Sequence, residues 1–226
     1  MVSLNIENDI ANIELNDGKA NVISKQVANE FIDALTEAKD NAKATIVRGA
    51  GDKFSAGFDL SVVKSSGQAQ VEMVTAGFNL LYHLYSHPLP LLAACNGHAI
   101  GMGAFILLCC DNRIGAKQDY KIGLPETAGG MPFTPLLVTI LRAQLNRQFY
   151  TSAALQSQMC SPDKAVHAGF LDMVVEADKL DATAQMGATQ LMQLPTRQYG
   201  DNKVMLRAKP LAEMKSELEK LGVKHG

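Results

Sequence analysis

The chain has 226 residues, of which 47% are hydrophobic and 19% charged, and its formal net charge is −2. This length and composition are typical of a globular protein with a sizeable core, and they exclude a disordered chain. The nearly balanced charge gives no electrostatic basis for binding nucleic acid or an anionic membrane.

The amino-terminal part of the chain predicts strands alternating with helices. The predicted strands show either polar–apolar alternation or a short buried run: residues 2–6, 10–15 and 44–48. The predicted helices repeat apolar residues at helical spacing: residues 24–41, with Ser24 as the N-cap, and residues 72–85. Between them, residues 53–60 form a small-residue loop that leads into a helix or turn, and residues 64–70 form a polar, mobile loop.

Residues 91–126 carry the most informative pattern of the chain. An apolar run of strand length, residues 91–95, leads to the glycine turn GMG at 101–103, which opens a second apolar run over residues 104–110. A strand feeding a glycine turn and then a buried helix presents backbone N–H groups that favour negative charge. Glu126 follows in a loop flanked by glycines and proline. Amides that stabilise an anion, together with one carboxyl group, are the parts that chemistry through an enolate needs.

The carboxyl-terminal part predicts mainly helices. They cover residues 135–145, 151–159, 161–169, 180–194 and 202–221, with Pro162 in the first turn of the third. One further strand is predicted over residues 171–175. Strands that alternate with crossover helices indicate an α/β fold.

Cysteine usage and apolar run lengths bear on location. The four cysteines have no metal-ligand spacing, and three of them lie in apolar runs, where reduced cysteine behaves as a small hydrophobic residue. The amino terminus lacks a basic segment followed by an apolar block, and no apolar run has the length of a bilayer span. We therefore expect a cytoplasmic protein that binds neither membrane nor nucleic acid.

Five motifs resemble the crotonase superfamily, the enoyl-CoA hydratase/isomerase family. They are FSAGFDL (54–60), NGHAIGMG (96–103), CCDNRI (109–114), IGLPET (122–127) and SPDKAVHAGFLDMVV (161–175). Their order and spacing carry the resemblance, which extends from Val2 to about Arg207. It implies a crotonase-like ββα spiral over residues 1–178 with a short helical segment over residues 179–226, assembled as a homotrimer or a dimer of trimers. It also implies an acyl-CoA thioester substrate and no cofactor, with coenzyme A bound only as part of the substrate.

The resemblance implies that two backbone amides, at Phe58 and Met102, form an oxyanion hole for the thioester oxygen. Removing one such donor typically costs roughly a hundredfold to a thousandfold in rate. The family usually has glycine in place of Met102, so we expect this side chain to point out of the pocket. The remaining residues implied to bind substrate or coenzyme A are Lys19, Ala20, Ser55, Ala56, Gly57, Asp59, Leu60, Gly101, Gly103 and Phe105.

Glu126, in the motif GLPE, resembles the second catalytic glutamate of the family. Burial in a thioester pocket would raise its pKa toward neutrality, so that it could accept and return a proton. Hydratases of the family carry another glutamate, and the corresponding position here is Phe105. Hydration needs a base for water and an acid for carbon, whereas moving a double bond needs only one base. The sequence therefore favours an isomerase that converts 3-enoyl-CoA to trans-2-enoyl-CoA.

Two other interpretations stay open at this point. The first is an enoyl-CoA hydratase or another crotonase-type lyase, thioesterase or decarboxylase. The second is a non-catalytic acyl-CoA-binding paralogue, which Met102 and Phe105 motivate because both depart from the family pattern. A second ionisable side chain, brought by the fold over the same carbons as Glu126, would contradict the isomerase interpretation.

Overall fold

The computed structural model describes residues 1–65 and 67–224. The strands are β1 (Val2–Glu7), β2 (Ile10–Leu15), β3 (Val22–Ile23), β4 (Ala44–Gly49), β5 (Lys53–Ser55), β6 (Gly57–Phe58), β7 (Leu91–Cys95), β8 (His98–Ile100), β9 (Asn112–Lys117), β10 (Ile122–Gly123) and β11 (Met173–Glu176). The helices are α1 (Lys25–Asn41), α2 (Leu60–Ser65), α3 (Gln68–Ser86), α4 (Met102–Cys109), α5 (Pro135–Gln144), α6 (Pro162–Ala168), α7 (Leu180–Leu191), α8 (Thr196–Leu206) and α9 (Ala208–Lys220).

The strands form a large sheet and two smaller ones. Within the described residues, the large sheet has six strands in the order β1-β2-β4-β7-β9-β11, and a second sheet has the order β10-β8-β5. Beyond the antiparallel β1–β2 hairpin, the paired strands of the large sheet are parallel. The chain therefore repeats one structural unit, which consists of a strand of the large sheet, a short strand and a helix, as in β7-β8-α4 and β9-β10-α5. This repeat confirms the expected α/β spiral.

Helices cover the sheets and enclose the core. All five residues of β7 are buried, because its neighbours β4 and β9 flank it and helices lie over it. On one side α7 packs on β4 and β7, while α9 packs against α3 and α5. No helix within residues 1–65 and 67–224 is long and apolar enough to cross a membrane.

The predicted loop over residues 64–70 is wrong for most of its length. Lys64 and Ser65 end α2, and α3 begins at Gln68, four residues before the predicted start. Ser66, also part of that prediction, lies outside the described residues. Polar residues start this helix because its first turn faces away from the core, where apolar periodicity gives no signal.

One strand in the second half of the chain was not predicted, and two predictions there need correction. β9 gives a weak signal in the sequence, because only its central residues are apolar. The predicted helix over residues 151–159 is a short π-helical turn, Thr151–Leu155, after which the chain turns to pair Cys160 with Ile122. The long carboxyl-terminal helix is divided into α8 and α9 at Arg207. Pro210 explains this division, since it has no N–H to continue the hydrogen bonding of α8.

Candidate active site

A cavity of about 290 Å³ lies where α2, α3 and α4 meet the loop after β10. Most of its lining is apolar, including Leu60, Val63, Val74, Phe78, Phe105, Met131 and Leu137. Gln70 and Thr134 contribute neutral polar groups. Among the described residues that line it, Glu126 is the only ionisable side chain. An apolar pocket with few polar groups is typical of a small-molecule site.

The carboxyl group of Glu126 is buried without a counter-charge. The residue is 7% exposed, and its Oε2 has no hydrogen-bond partner within the described part of the chain. Burial raises the pKa of Glu126 to about 7, and a hydrogen bond from its own backbone N–H opposes this only weakly. A buried carboxyl group with a pKa near neutrality can take up a proton and release it again.

Gly101 allows this carboxyl group to approach the turn before α4. An ideal Cβ on Gly101 would lie 3.4 Å from Glu126 Oε1, and the residue has a φ of +54°, which strains other residues. Pro125 and Glu126 open a tight turn whose carbonyl groups accept hydrogen bonds from Gly129 and Met131, both at 2.8 Å. The turn therefore holds the carboxyl group against the amino-terminal end of α4.

The two predicted oxyanion residues lie side by side. Met102 is the first residue of α4, so its N–H has no acceptor within the helix. An ideal Cβ on Gly57 would lie 3.2 Å from Met102 N and 2.5 Å from Ile100 O, so the segment before Phe58 approaches this turn through its backbone. The Met102 side chain is 3% exposed, and its methyl group and the Phe58 ring both lie beside Gly77 of α3.

Ser55 connects the loop that contains Asn21 to the segment that contains Gly57, at the side of the cavity. Its hydroxyl donates to Asn21 O at 2.7 Å and accepts from Gly57 N at 3.2 Å. Ala56 N in turn donates to Ala20 O at 2.9 Å. The fully buried Ser55 therefore fixes the backbone around the cavity without lining it.

Asp17, which was not among the predicted site residues, organises the neighbouring loop. Its carboxylate accepts backbone N–H groups of four successive residues, 19–22, at 2.8–2.9 Å. Burial raises the pKa of Asp17, but these hydrogen bonds outweigh it and lower the pKa to about 2. The sequence Asn16-Asp17-Gly18 was a usable signal, because Asp often bonds the backbone of a following turn.

The predicted site residues divide into two groups. The cavity is lined by Ala56, Gly57, Phe58, Leu60, Gly101, Met102, Phe105 and Glu126. Its lining does not include Lys19, Ala20, Ser55, Asp59 or Gly103. In this second group, Asp59 accepts hydrogen bonds from the backbone and hydroxyl of Ser61 at the start of α2, and Gly103 packs against the backbone of Ser55. The binding roles of both groups stay predictions.

Several residues that line the cavity were not predicted as site residues. Val74 and Phe78 are apolar positions of the predicted helix over residues 72–85, but nothing in the sequence indicates that they face a cavity. Gln70 fell in the misassigned loop, and its side chain donates to Val63 O at 2.8 Å, joining α3 to α2. Thr134 was detectable only as an N-cap before Pro135, and its hydroxyl accepts from Leu137 N at 3.4 Å.

Comparison with known proteins gives consistent matches. A family model described as enoyl-CoA hydratase/isomerase matches residues 5–220. A crystal structure of an enoyl-CoA hydratase/isomerase family protein from Pseudomonas syringae is 34% identical, with a TM-score of 0.94, over 97% of this chain and 95% of that chain.

Two further relatives carry different reaction names. The apo structure of a Mycobacterium tuberculosis enoyl-CoA isomerase is 31% identical, with a TM-score of 0.90, over 99% of this chain and 98% of that chain. A crotonyl-CoA hydratase from Syntrophomonas wolfei is 30% identical over 191 residues, which are 79% of this chain and 70% of that protein. Overall similarity therefore does not decide between isomerisation and hydration, so the geometry of the cavity is the better guide.

Proposed function

The chain belongs to the enoyl-CoA hydratase/isomerase family, and from that premise we propose that it moves the double bond of a 3-enoyl-CoA to give trans-2-enoyl-CoA. One observation carries this proposal. Within the described residues, the cavity lining offers a single ionisable group, Glu126, and the position expected to hold a second glutamate in hydratases is Phe105. A shift of a double bond needs one carboxyl group, whereas hydration is served best by two.

The proposed reaction begins with the thioester oxygen at the backbone amides of Phe58 and Met102. Charge that develops on this oxygen as the C2 proton leaves is stabilised there by fixed donors. Glu126, as the carboxylate, takes the proton from C2 and returns it to C4 of the resulting dienolate. The C2–H bond and the C3–C4 π bond are lost, while a C4–H bond and a C2–C3 π bond form, so no atom or electron is gained.

The raised pKa of Glu126 supports this role. At a pKa of about 7 the carboxyl group is present in both forms at neutral pH, so it can act as base in one half of the reaction and as acid in the other. The same carboxyl group regenerates its starting state in each turnover. The proposed reaction therefore uses neither a metal nor a redox cofactor, and coenzyme A takes part as a piece of the substrate.

Phe105 supports isomerisation over hydration for a second reason. The ring is 1% exposed and lies in the cavity lining, where it takes up space that water would otherwise occupy. Exclusion of water protects a dienolate from side reactions. We propose, from the family resemblance, that coenzyme A extends from this cavity past Ala56 toward the loop of Lys19 and Ala20. The hydrogen bond from Ala56 N to Ala20 O places that loop directly beside the cavity.

The test compares two substrates with the purified protein. We expect trans-3-enoyl-CoA to be converted to trans-2-enoyl-CoA, and crotonyl-CoA to be hydrated slowly or not at all. Efficient hydration of crotonyl-CoA without conversion of the 3-enoyl substrate would contradict the proposal. Release of free thiol from other acyl-CoA esters would favour a thioesterase, and binding of acyl-CoA without turnover would favour a non-catalytic paralogue.

We also propose that the chain assembles as a homotrimer or a dimer of trimers. Consecutive large apolar residues at the end of α8 are strongly exposed, with Met205 at 77% and Leu206 at 86%. Such a patch on a soluble family member supports contact with another copy. Light scattering coupled to gel filtration should give three or six times the chain mass, and a monomer would refute this assembly.

A further inference from the structure

The position of Glu126 depends on its backbone rather than on its side chain. Oε2 is buried and has no hydrogen-bond partner in the described ranges, and the hydrogen bond that opposes the raised pKa comes from the residue's own backbone N–H. The backbone of the turn that carries Glu126 is therefore the element that aims the carboxyl group. What holds that turn in place matters for catalysis, provided that the proposed proton transfer by Glu126 is correct.

A single segment, residues 151–160, contacts the chain on both sides of Glu126. Before it, Ile122 and Cys160 exchange two backbone hydrogen bonds, at 3.0 and 2.8 Å. After it, the Thr127 hydroxyl donates to Ala154 O at 2.8 Å. The next residue, Ala128, donates its N–H to the Ser157 hydroxyl at 3.1 Å. The segment thus brackets the catalytic turn.

The backbone of this segment is unusual where these contacts are made. Residues Thr151–Leu155 form a π-helical turn. This conformation is rare in proteins overall, and where it occurs it is often found at functional sites. Ala154 lies near the end of that turn, where carbonyl groups lack partners within the helix. Ser157 has a φ of +49°, which costs free energy in a residue other than glycine. Packing in the apolar core does not explain this strained conformation, because Ser157 is only half-buried.

We propose that Thr127 and Ser157 are positioning residues for Glu126, each through one hydroxyl hydrogen bond that fixes the turn following the carboxyl group. Thr127 acts as a donor to Ala154 O, and Ser157 acts as an acceptor from Ala128 N. Neither side chain lines the cavity or touches the reacting atoms. Both act by keeping Glu126 directed at the substrate and away from water.

The test uses Thr127→Val and Ser157→Ala, singly and together, in the full chain. Each removes a hydroxyl while keeping the shape at Thr127 and the Cβ at Ser157. We expect kcat on 3-enoyl-CoA to fall roughly ten- to a hundredfold in the double variant, because small misplacements of a catalytic group are costly. KM should change by less than about threefold, since no cavity contact is removed.

The pH profile separates a positioning role from a general loss of stability. A loosened carboxyl group gains contact with water, so the rising limb of kcat/KM should move to lower pH than in the wild type. Among described residues, no other charged side chain lines the cavity, and none contributes to the raised pKa of Glu126. A movement of this limb therefore reports on the burial of Glu126.

Two matched variants complete the experiment. Thr127→Ser keeps the hydroxyl and should restore kcat. Ser152→Ala removes a hydroxyl of the same segment that donates to Phe149 O at 3.2 Å and not to the turn carrying Glu126, so it should leave kcat unchanged. A double variant with the wild-type kcat and pH limb would overturn the inference, as would a lowered kcat that Thr127→Ser fails to restore. Full activity of Glu126→Gln would instead overturn the proposed function.

Discussion

Two buried carboxyl groups in this molecule are treated in opposite ways by their surroundings. Asp111, just after α4, has a side chain that is 9% exposed and accepts from Lys203 at 2.7 Å and from Arg207 at 2.8 Å. Leu91 N and the Tyr199 hydroxyl complete its set of donors, both at 2.9 Å. Glu126 lies on the same spiral and is also buried, with 7% of the residue exposed, yet its Oε2 lacks any partner in the part of the chain that the structure describes.

The difference teaches how a structural acid can be told from a chemical one. Asp111 pairs with two cations, Lys203 and Arg207, and Arg207 also donates to Tyr85 O at 2.8 Å, so these contacts join the end of α8 to α3 and to the loop after α4. Such an arrangement holds a charge in place. Glu126 has no cation beside it, and burial raises its pKa, so it gains and loses a proton near neutral pH. Such a raised pKa is more typical of a group that takes part in a reaction than of a structural one.

The largest expected effect is that of Glu126→Gln on catalysis. We expect kcat for 3-enoyl-CoA isomerisation to fall by about 10²–10⁴-fold, the usual contribution of a general acid–base group. Binding of a non-reacting acyl-CoA should change little, because no hydrogen bond of Oε2 is lost. Initial rates and a titration calorimetry Kd measure the two quantities. Retained turnover would show that Glu126 is a bystander.

Asp111→Asn should instead lower stability and leave catalysis almost unchanged. The substitution keeps the shape but leaves Lys203 and Arg207, whose side chains are 6% and 13% exposed, without their counter-charge. We expect the free energy of unfolding in urea to fall by about 3–5 kcal/mol, the typical cost of breaking a buried ion pair. At temperatures where the variant is folded, kcat should stay within a few fold of the wild type. An unchanged unfolding midpoint would remove the contrast between the two acids.

The pH dependence of stability should reveal the raised pKa of Glu126. Between the ordinary pKa of 4.5 and about 7, the unfolded chain loses a proton that the folded chain keeps. Unfolding is therefore favoured as pH rises through this window, by a total on the order of 3 kcal/mol, and the effect levels off above the folded-state pKa.

Glu126→Gln should lack this decline and be more stable than the wild type at pH 8. The difference between the two unfolding curves, measured at several pH values, isolates the contribution of the one carboxyl group. Over the same window kcat/KM of the wild type should rise, because the base must be ionised. Parallel stability curves for the two proteins would mean that the carboxyl group is not buried as described.

A smaller effect is expected from Gly57→Ala, which tests the backbone donors of the cavity. A methyl group there would approach Ile100 O at 2.5 Å and force the Phe58 segment away from Met102. We expect kcat to fall about tenfold or more, since donors in an oxyanion hole act only when well placed. The pH limb set by Glu126 should not move, because the carboxyl group itself is untouched.

Gly51→Ala provides the matched control for this substitution. Gly51 also has a positive φ, +69°, but an ideal Cβ there meets nothing within 4 Å. Both variants carry the strain of alanine in this conformation, and only Gly57→Ala adds the overlap. Equal kcat values for the two variants would show that the approach of the two loops is unimportant for catalysis.

Much of the candidate site was predictable because its signals are local. The apolar run of α4, the glycine turn before it and the loop carrying Glu126 lie within 36 consecutive residues, 91–126. Periodicity and turn chemistry identify such features without knowledge of the fold. The assignment of Glu126 and of the amides at Phe58 and Met102 depended on the family resemblance, since a single Pro-Glu or a single glycine turn is not specific.

The features that escaped prediction depend on contacts between distant segments. Asp111 meets Lys203 and Arg207, more than 90 residues further along the chain, and nothing in the local pattern pairs them. Ser157 is a polar residue in a segment that was predicted as helical, and its contact with Ala128 depends on the π-helical turn before it. Local propensity cannot anticipate such contacts, because tertiary packing decides them.

The proposed shuttle by a single carboxyl group is tested most directly by following the hydrogen that leaves C2. A single-turnover reaction of trans-3-enoyl-CoA in D₂O, followed by mass and NMR analysis of the product, measures how much hydrogen from C2 arrives at C4. Because Glu126 is only 7% exposed in an apolar cavity, we expect a measurable fraction of product to carry the original proton at C4. Complete deuteration at C4 in the first turnover would mean that a different, solvent-connected group delivers the proton.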